Sequence, residues 1–225
     1  MPRLRATVVA CCLLAAGALT ACGDDEALSV ADDRADQVRD AAHEAGLPDD
    51  VADVLAIAAR GATATFQVTY AGSEGARIVV SQAPPNRRVD VVSAGEVVES
   101  RVLRDGTAYR CDLDDAGEEL QCDRAAGSLD GPGTFTREAL QDFTDQLAGL
   151  GDTLDLTVEE RTIAEVEVTC LVTQPKAGSV IDPSGPGAET LCVSPEGAQL
   201  LVDAAGERLI AESYSTEVPD GTFEV

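Results

Sequence analysis

Turn-forming residues punctuate the middle of this chain about every 11 residues: Gly72 to Gly75, Pro84 to Asn86, Gly95, Asp105 with Gly106, then Gly117. Between them stand runs at 77–81, 88–93, 97–103, 107–113 and 119–123, each rich in Val or other β-formers and each too short for a helix. Short strands joined by hairpin-sized turns predict a consecutive antiparallel meander. The meander opens on Ala62, Ala64, Phe66, Val68 and Tyr70, which alternate with Thr63, Thr65, Gln67 and Thr69 in the period of a half-buried strand.

Helical patterns interrupt the strands twice. Leu47-Pro48-Asp49-Asp50 offers an N-terminal cap, Val51, Val54, Leu55 and Ala58 recur at helical spacing, and Gly61 follows Arg60 as a stop. After a break at 127–133, Phe135 precedes a Thr136 cap and can staple onto Leu140, while Leu140, Phe143, Leu147 and Leu150 form one apolar stripe. Strand character then returns at 153–158, 163–172, 190–193, 198–203 and 208–214. The fold class expected is α+β, mainly β: one strongly curved antiparallel sheet of about 10 or 11 strands, a half-barrel whose concave side is covered by the short amphipathic helices.

The N-terminus has a different logic. Arg3 and Arg5 precede a small, apolar run from Ala6 to Leu19, then Thr20, Ala21 and Cys22, then Asp24, Asp25 and Glu26. A positive start, a short apolar run and small residues at a cut site make a secretory signal, and the run falls short of the roughly 20 apolar residues a membrane-spanning helix needs. Leu19-Thr20-Ala21-Cys22 resembles the bacterial lipobox, which implies cleavage after residue 21 and a diacylglycerol on Cys22. The expected divisions are a signal peptide at 1–21, an acidic, partly helical tether at 22–46 with a weak stripe of Ala31, Ala35, Val38 and Ala42, and one folded domain at 47–225. A monomer anchored by lipid to the extracytoplasmic face of the cell membrane is expected, because several acyl chains together hold stably.

Charge and cysteine usage bear on partners. Acidic residues number 41 against 16 basic ones, a net charge of -25, which excludes nucleic acid as a default partner. Removing Arg3 and Arg5 with the signal makes the mature chain more acidic still, so it should stand off an anionic membrane surface. Of 7 cysteines, Cys11 and Cys12 lie in the signal and Cys22 is the lipidation site, leaving Cys111, Cys122, Cys170 and Cys192. An even number in an oxidising compartment predicts disulfides, and pairing nearest neighbours gives Cys111 with Cys122 and Cys170 with Cys192. No metal site is expected, since no C-x-x-C occurs and the single His43 stands in the tether.

The order of these stretches resembles the LolA-like superfamily, the periplasmic lipoprotein carriers and the mycobacterial lipid-carrying lipoproteins of the LprG and LppX type. Arg77-Ile78-Val79-Val80 with Pro84-Pro85-Asn86-Arg87-Arg88-Val89-Asp90 is similar to that family's paired strands around a turn. Val102-Leu103-Arg104-Asp105-Gly106-Thr107-Ala108-Tyr109 is similar to the next hairpin, and Cys192-Val193-Ser194-Pro195-Glu196-Gly197 with Val218-Pro219-Asp220-Gly221-Thr222-Phe223 to its closing hairpin and tail. The resemblance implies a hydrophobic cavity that accepts acyl chains and supplies no catalytic residue.

Candidate lining residues are Phe66, Val68, Ile78, Val80, Val89, Val91, Val102, Leu140, Phe143 and Leu147, which a filled core would use equally well. No G-x-S-x-G occurs and no S-x-x-K surrounds Lys176, so no enzyme and no cofactor is expected. Asp112, Asp114, Gly117 and Asp123 fall on a calcium-loop template, but Ala116 breaks it and the segment reads as a hairpin with solvated turn acids. The alternative to a lipid carrier is an envelope interaction or sensor module that uses the curved sheet or the 175–187 loop to contact a protein partner.

Overall fold

The computed structural model describes residues 24–72, 75–113, 120–126, 132–177, 188–204 and 207–225, with backbone only for 24–30. It contains three helices, α1 (Asp24–Glu44), α2 (Asp49–Arg60) and α3 (Arg137–Leu150). The strands are β1 (Phe66–Ala71), β2 (Arg77–Ala83), β3 (Asn86–Ser93), β4 (Glu96–Arg104), β5 (Thr107–Leu113), β6 (Leu120–Ala125), β7 (Leu154–Ile163), β8 (Val166–Pro175), β9 (Glu189–Val193), β10 (Gln199–Ala204) and β11 (Glu207–Ser215). They form one open, wholly antiparallel sheet of 11 strands in the order β6-β5-β4-β3-β2-β1-β11-β10-β9-β8-β7. The mainly β fold expected from the turn spacing is therefore present.

The order has a simple physical content. Hairpins β1 to β6 run outward to one edge, α3 lies in the connection to the opposite edge, and β7 to β11 run back until β11 pairs with β1. Two short-range meanders are joined by one long-range seam.

Register assigns the side chains to faces, because directly opposed residues point the same way. From Phe66, Val68 and Tyr70 the pairings carry one face through Gln82, Val80 and Ile78 to Arg87, Val89 and Val91. The same face continues on the other side of the seam through Val202, Leu191, Leu171 and Val158. The helices pack on this face. Leu171, Leu191 and Val193 join Val51, Leu55, Ala58, Leu140 and Leu147 in one buried cluster, and Phe66, Val68, Tyr70 and Val80 belong to a second cluster with Cys170, Cys192 and Leu200.

Both cysteine pairings are found. Cys111–Cys122 joins β5 to β6 and Cys170–Cys192 joins β8 to β9, each with Cα atoms 4.0 Å apart at directly opposed positions. The stripe of α1 also has a partner, since Ala35 and Ala42 are buried and α1 packs along α2. The packed part of the chain thus reaches back at least to Ala35. Among the described residues no helix is long and apolar enough to cross a membrane. Cys22 and the segment 1–21, where a signal peptide is expected, lie outside the described residues.

Some boundaries differ from the sequence reading. Residues 61–63 form a turn rather than the start of β1, because the Gln82 amide reaches in to donate to the Gly61 carbonyl at 2.6 Å and the Ala64 carbonyl at 2.9 Å. The first residue flanking α2 is Pro48, without a side-chain cap; Asp49 and Asp50 stand inside the first turn, where their charge meets the helix dipole. The run at 163–172 is not one strand, as it spans the Ala164–Glu165 turn between β7 and β8.

Candidate functional site

The space over β1 and β2 is filled. Tyr70 donates its hydroxyl to the Gln199 carbonyl, Gln199 N donates to the Gly133 carbonyl at 2.9 Å, and Gly133 N donates to Gln199 Oε1 at 3.3 Å. Arg87 clamps the same loop by donating to Thr134 Oγ1 at 2.6 Å and to the Pro132 carbonyl at 2.5 Å. Gly133 is in a left-handed conformation with φ 111, and a Cβ there would stand 3.0 Å from Val80 Cγ1. Segment 132–134 is thereby seated on Phe66 and Val80.

Beyond that plug the same face offers an apolar groove of about 190 Å³, lined by Phe135, Phe143, Leu171, Leu191 and Val202, with Thr173 and Glu189 also at its wall. Register explains the grouping: Leu171 opposes Leu191, Thr173 opposes Glu189, and Leu191 opposes Val202. The other wall is α3, whose start is fixed by Thr136 Oγ1 accepting from Ala139 N at 3.1 Å. Phe135, just before that cap, stacks on Phe143 with ring centroids 5.8 Å apart.

Thr173, Glu189 and Thr190 break the apolar lining, and the first two bear on its chemistry. Thr173 is buried and its hydroxyl has no hydrogen-bond partner among the described residues, which is costly for a group removed from water. Glu189 is half-buried, and loss of hydration pushes its carboxyl up from the ordinary value. A groove of this composition can hold hydrocarbon by burial and one hydroxyl-seeking acceptor.

The ten residues expected to line a cavity do not share one space. Only Phe143 lines the groove; Leu140 and Leu147 are buried beneath α3 in the helix cluster. Phe66, Val68 and Val80 are fully buried in the second cluster, with Ile78 and Val89 packed against it and Val91 half-buried further along the same face. Val102 is fully buried on the opposite face, opposed to Arg88 and Tyr109. The residues that do line the groove were within reach of the disulfide: pairing Cys170 with Cys192 fixes the register that places Leu171 on Leu191.

No family model and no curated protein matches the chain. Function must come from the geometry. Among the described residues no group of three or more His, Cys, Asp or Glu could hold a metal ion. Asp114, Ala116 and Gly117 of the calcium-like stretch lie outside the described residues, while Asp112 pairs with Arg110 at 2.9 Å. His43 Nδ1 stands 3.4 Å from Asp49 Oδ1 at the α1–α2 junction. Of the 175–187 loop, 178–187 lies outside the described residues.

Proposed function

We propose that this chain is a LolA-like, membrane-anchored lipoprotein of the extracytoplasmic face that binds the acyl part of a lipid without catalysing a reaction. The observation that carries the reading is the apolar groove between Phe135, Phe143 and the Leu171–Leu191–Val202 surface. In this reading the face under α2 and α3 is the concave side of a half-barrel, the helices are its cover, and Cys22 carries the diacylglycerol. Binding is stoichiometric and non-covalent, each buried methylene contributing about 0.8 kcal/mol.

The groove's size constrains how this works. At about 190 Å³ it is smaller than the roughly 300–1,000 Å³ of ordinary ligand sites, so a long chain enters only as α3 lifts from the sheet. Glu189 at the wall repels an ionised fatty acid and favours acyl chains carried as esters or amides.

The test uses the full chain purified from membranes, by native mass spectrometry and by titration with a neutral fluorescent acyl ester. Co-purifying masses of lipid size, or saturable probe binding that Val202→Trp abolishes while leaving Tm unchanged, is the expected result. A bare chain that takes up no probe, or probe binding indifferent to Val202→Trp, overturns the reading.

A further inference from the structure

Helices α1 and α3 enclose a second pocket of about 230 Å³, and its chemistry is the reverse of the chain's. Arg34 and Gln37 of α1 face Arg137 and Gln141 of α3 across a floor that includes Val38 and Leu140. Arg34 Nε and Nη2 are buried and make no hydrogen bond among the described residues. Burial lowers the affinity of Arg34 for its proton, the neighbouring Arg137 guanidinium lowers it further, and Glu138 acts the other way without bonding to it. Asp145 lines the pocket, yet among the described residues it forms no ion pair with either arginine.

This arrangement needs a cause. The chain has 41 acidic side chains for 16 basic ones, and Arg39, Arg60, Arg77, Arg88, Arg101, Arg110, Arg161 and Arg208 each stand within ion-pair distance of a carboxylate. Two guanidiniums held together, one with desolvated and unbonded N–H groups, are unfavourable by both like-charge repulsion and lost hydration. An oxyanion between them removes both penalties, because a guanidinium fork matches the spacing of phosphate or carboxylate oxygens.

We propose that Arg34 and Arg137 form a binding site for a phosphate monoester or diester, the phosphate held by the two guanidiniums and its first carbons laid on Val38 and Leu140. Gln37 and Gln141 offer amide donors to the remaining oxygens. The proposal does not rest on the acyl groove, which lies on the sheet side of α3. The phosphate could belong to a lipid headgroup or to a free phosphate ester, and the shared chemistry is the same.

Calorimetric titration of the full chain with inorganic phosphate and with hexyl phosphate, at constant ionic strength, separates these sources. Saturable one-to-one binding of hexyl phosphate about tenfold tighter than phosphate, the effect of roughly two buried methylenes, supports the site and assigns it to a lipid-like ester. Equal affinity supports the site and assigns it to the free anion. Arg34→Gln and Arg137→Gln should each weaken binding about tenfold or more, and Val202→Trp should leave it unchanged. Arg34→Gln should also hold or raise Tm, since it removes a half-buried guanidinium with two buried, unbonded nitrogens. Failure of both ligands to bind at millimolar concentration, or binding that survives the double substitution, would overturn the proposal. So would a lowered Tm in Arg34→Gln together with unaltered binding in Arg137→Gln, which would make Arg34 a packing residue.

Discussion

Two glycines set the seat of α2. A Cβ on Gly61 would lie 2.2 Å from the Gly197 carbonyl oxygen, and one on Gly197 would lie 2.2 Å from the Ile57 oxygen and 2.4 Å from Gly61 N. The last turn of α2 therefore meets the β9–β10 turn backbone to backbone, and Gly197 has a left-handed φ of 88 besides. Gly61→Ala or Gly197→Ala should each cost roughly 3 kcal/mol or more, measured by urea unfolding, because backbone has nowhere to shift. Gly46→Ala, left-handed but in open space, should cost only about 1 kcal/mol. Glu189 makes a pH prediction at the same scale. Its folded-state affinity for a proton is raised by desolvation, so its contribution favours the fold below the ordinary carboxylate range and is lost as pH rises through the raised value. Glu189→Gln should thus raise Tm at pH 7 and leave it unaltered at pH 3.5; a fall at pH 7 would contradict the desolvated setting.

At the scale of elements, the cap that fixes α3 and the turn that divides β7 from β8 show what the sequence discloses and what it hides. Thr136 and its apolar stripe announce α3, and Thr136→Ala should cost about 1 kcal/mol, or about 2–4 °C in Tm for a chain of this size. Asp105-Gly106 announces a hairpin because both residues there take positive φ, 48 and 76, and that pair of residue types favours it. Ala164 and Glu165 take the same conformation, with φ 50 and 67, yet carry no Gly or Asn, so nothing in the residue types reveals the turn inside the apparent strand at 163–172. Glu165→Gly should then stabilise the chain by about 1 kcal/mol, since it relieves a left-handed side chain without removing a contact of the core. Faces were harder to read than strands. Val102 alternates as regularly as Val80 and Val89 do, and only the pairing partners show that it points the other way. The phosphate-site arginines were silent for a related reason: an isolated Arg in each of two helices means nothing until the helices are side by side.

For the whole molecule, the decisive feature is that the two meanders are paired into one sheet along β11, which pairs with β1 on one side and β10 on the other. Contacts that close the centre join residues far apart in the chain, such as Tyr70 with Gln199 at a separation of 129. The two disulfides stand in different halves of this architecture, and that position decides their weight. Cys111–Cys122 ties β6, an edge strand whose residues 121–125 are exposed, to β5. Cys170–Cys192 lies wholly buried, with both residues at 0% exposure, in the cluster that also holds Tyr70 and Leu201. Loop-closure entropy values the two alike at roughly 3 kcal/mol, since separations of 11 and 22 differ little in their logarithm. Burial separates them. Losing the first lets β6 detach locally while the core stays closed, so Cys111→Ala/Cys122→Ala should speed hydrogen exchange in β6 and lower global stability by less than the loop-closure value of roughly 3 kcal/mol, because the freed β6 gains entropy in the folded state as well. Losing the second opens a void among packed side chains as well as loosening the unfolded chain, so Cys170→Ala/Cys192→Ala should lower global stability by about 3–5 kcal/mol. Under native conditions a mild thiol reductant, which is oxidised as it opens a disulfide to two thiols, together with an alkylating agent should accordingly label Cys111 and Cys122 first and leave Cys170 and Cys192 protected until global unfolding. Equal midpoint shifts for the two double variants, or simultaneous labelling, would show instead that β6 and the central seam unfold as one unit.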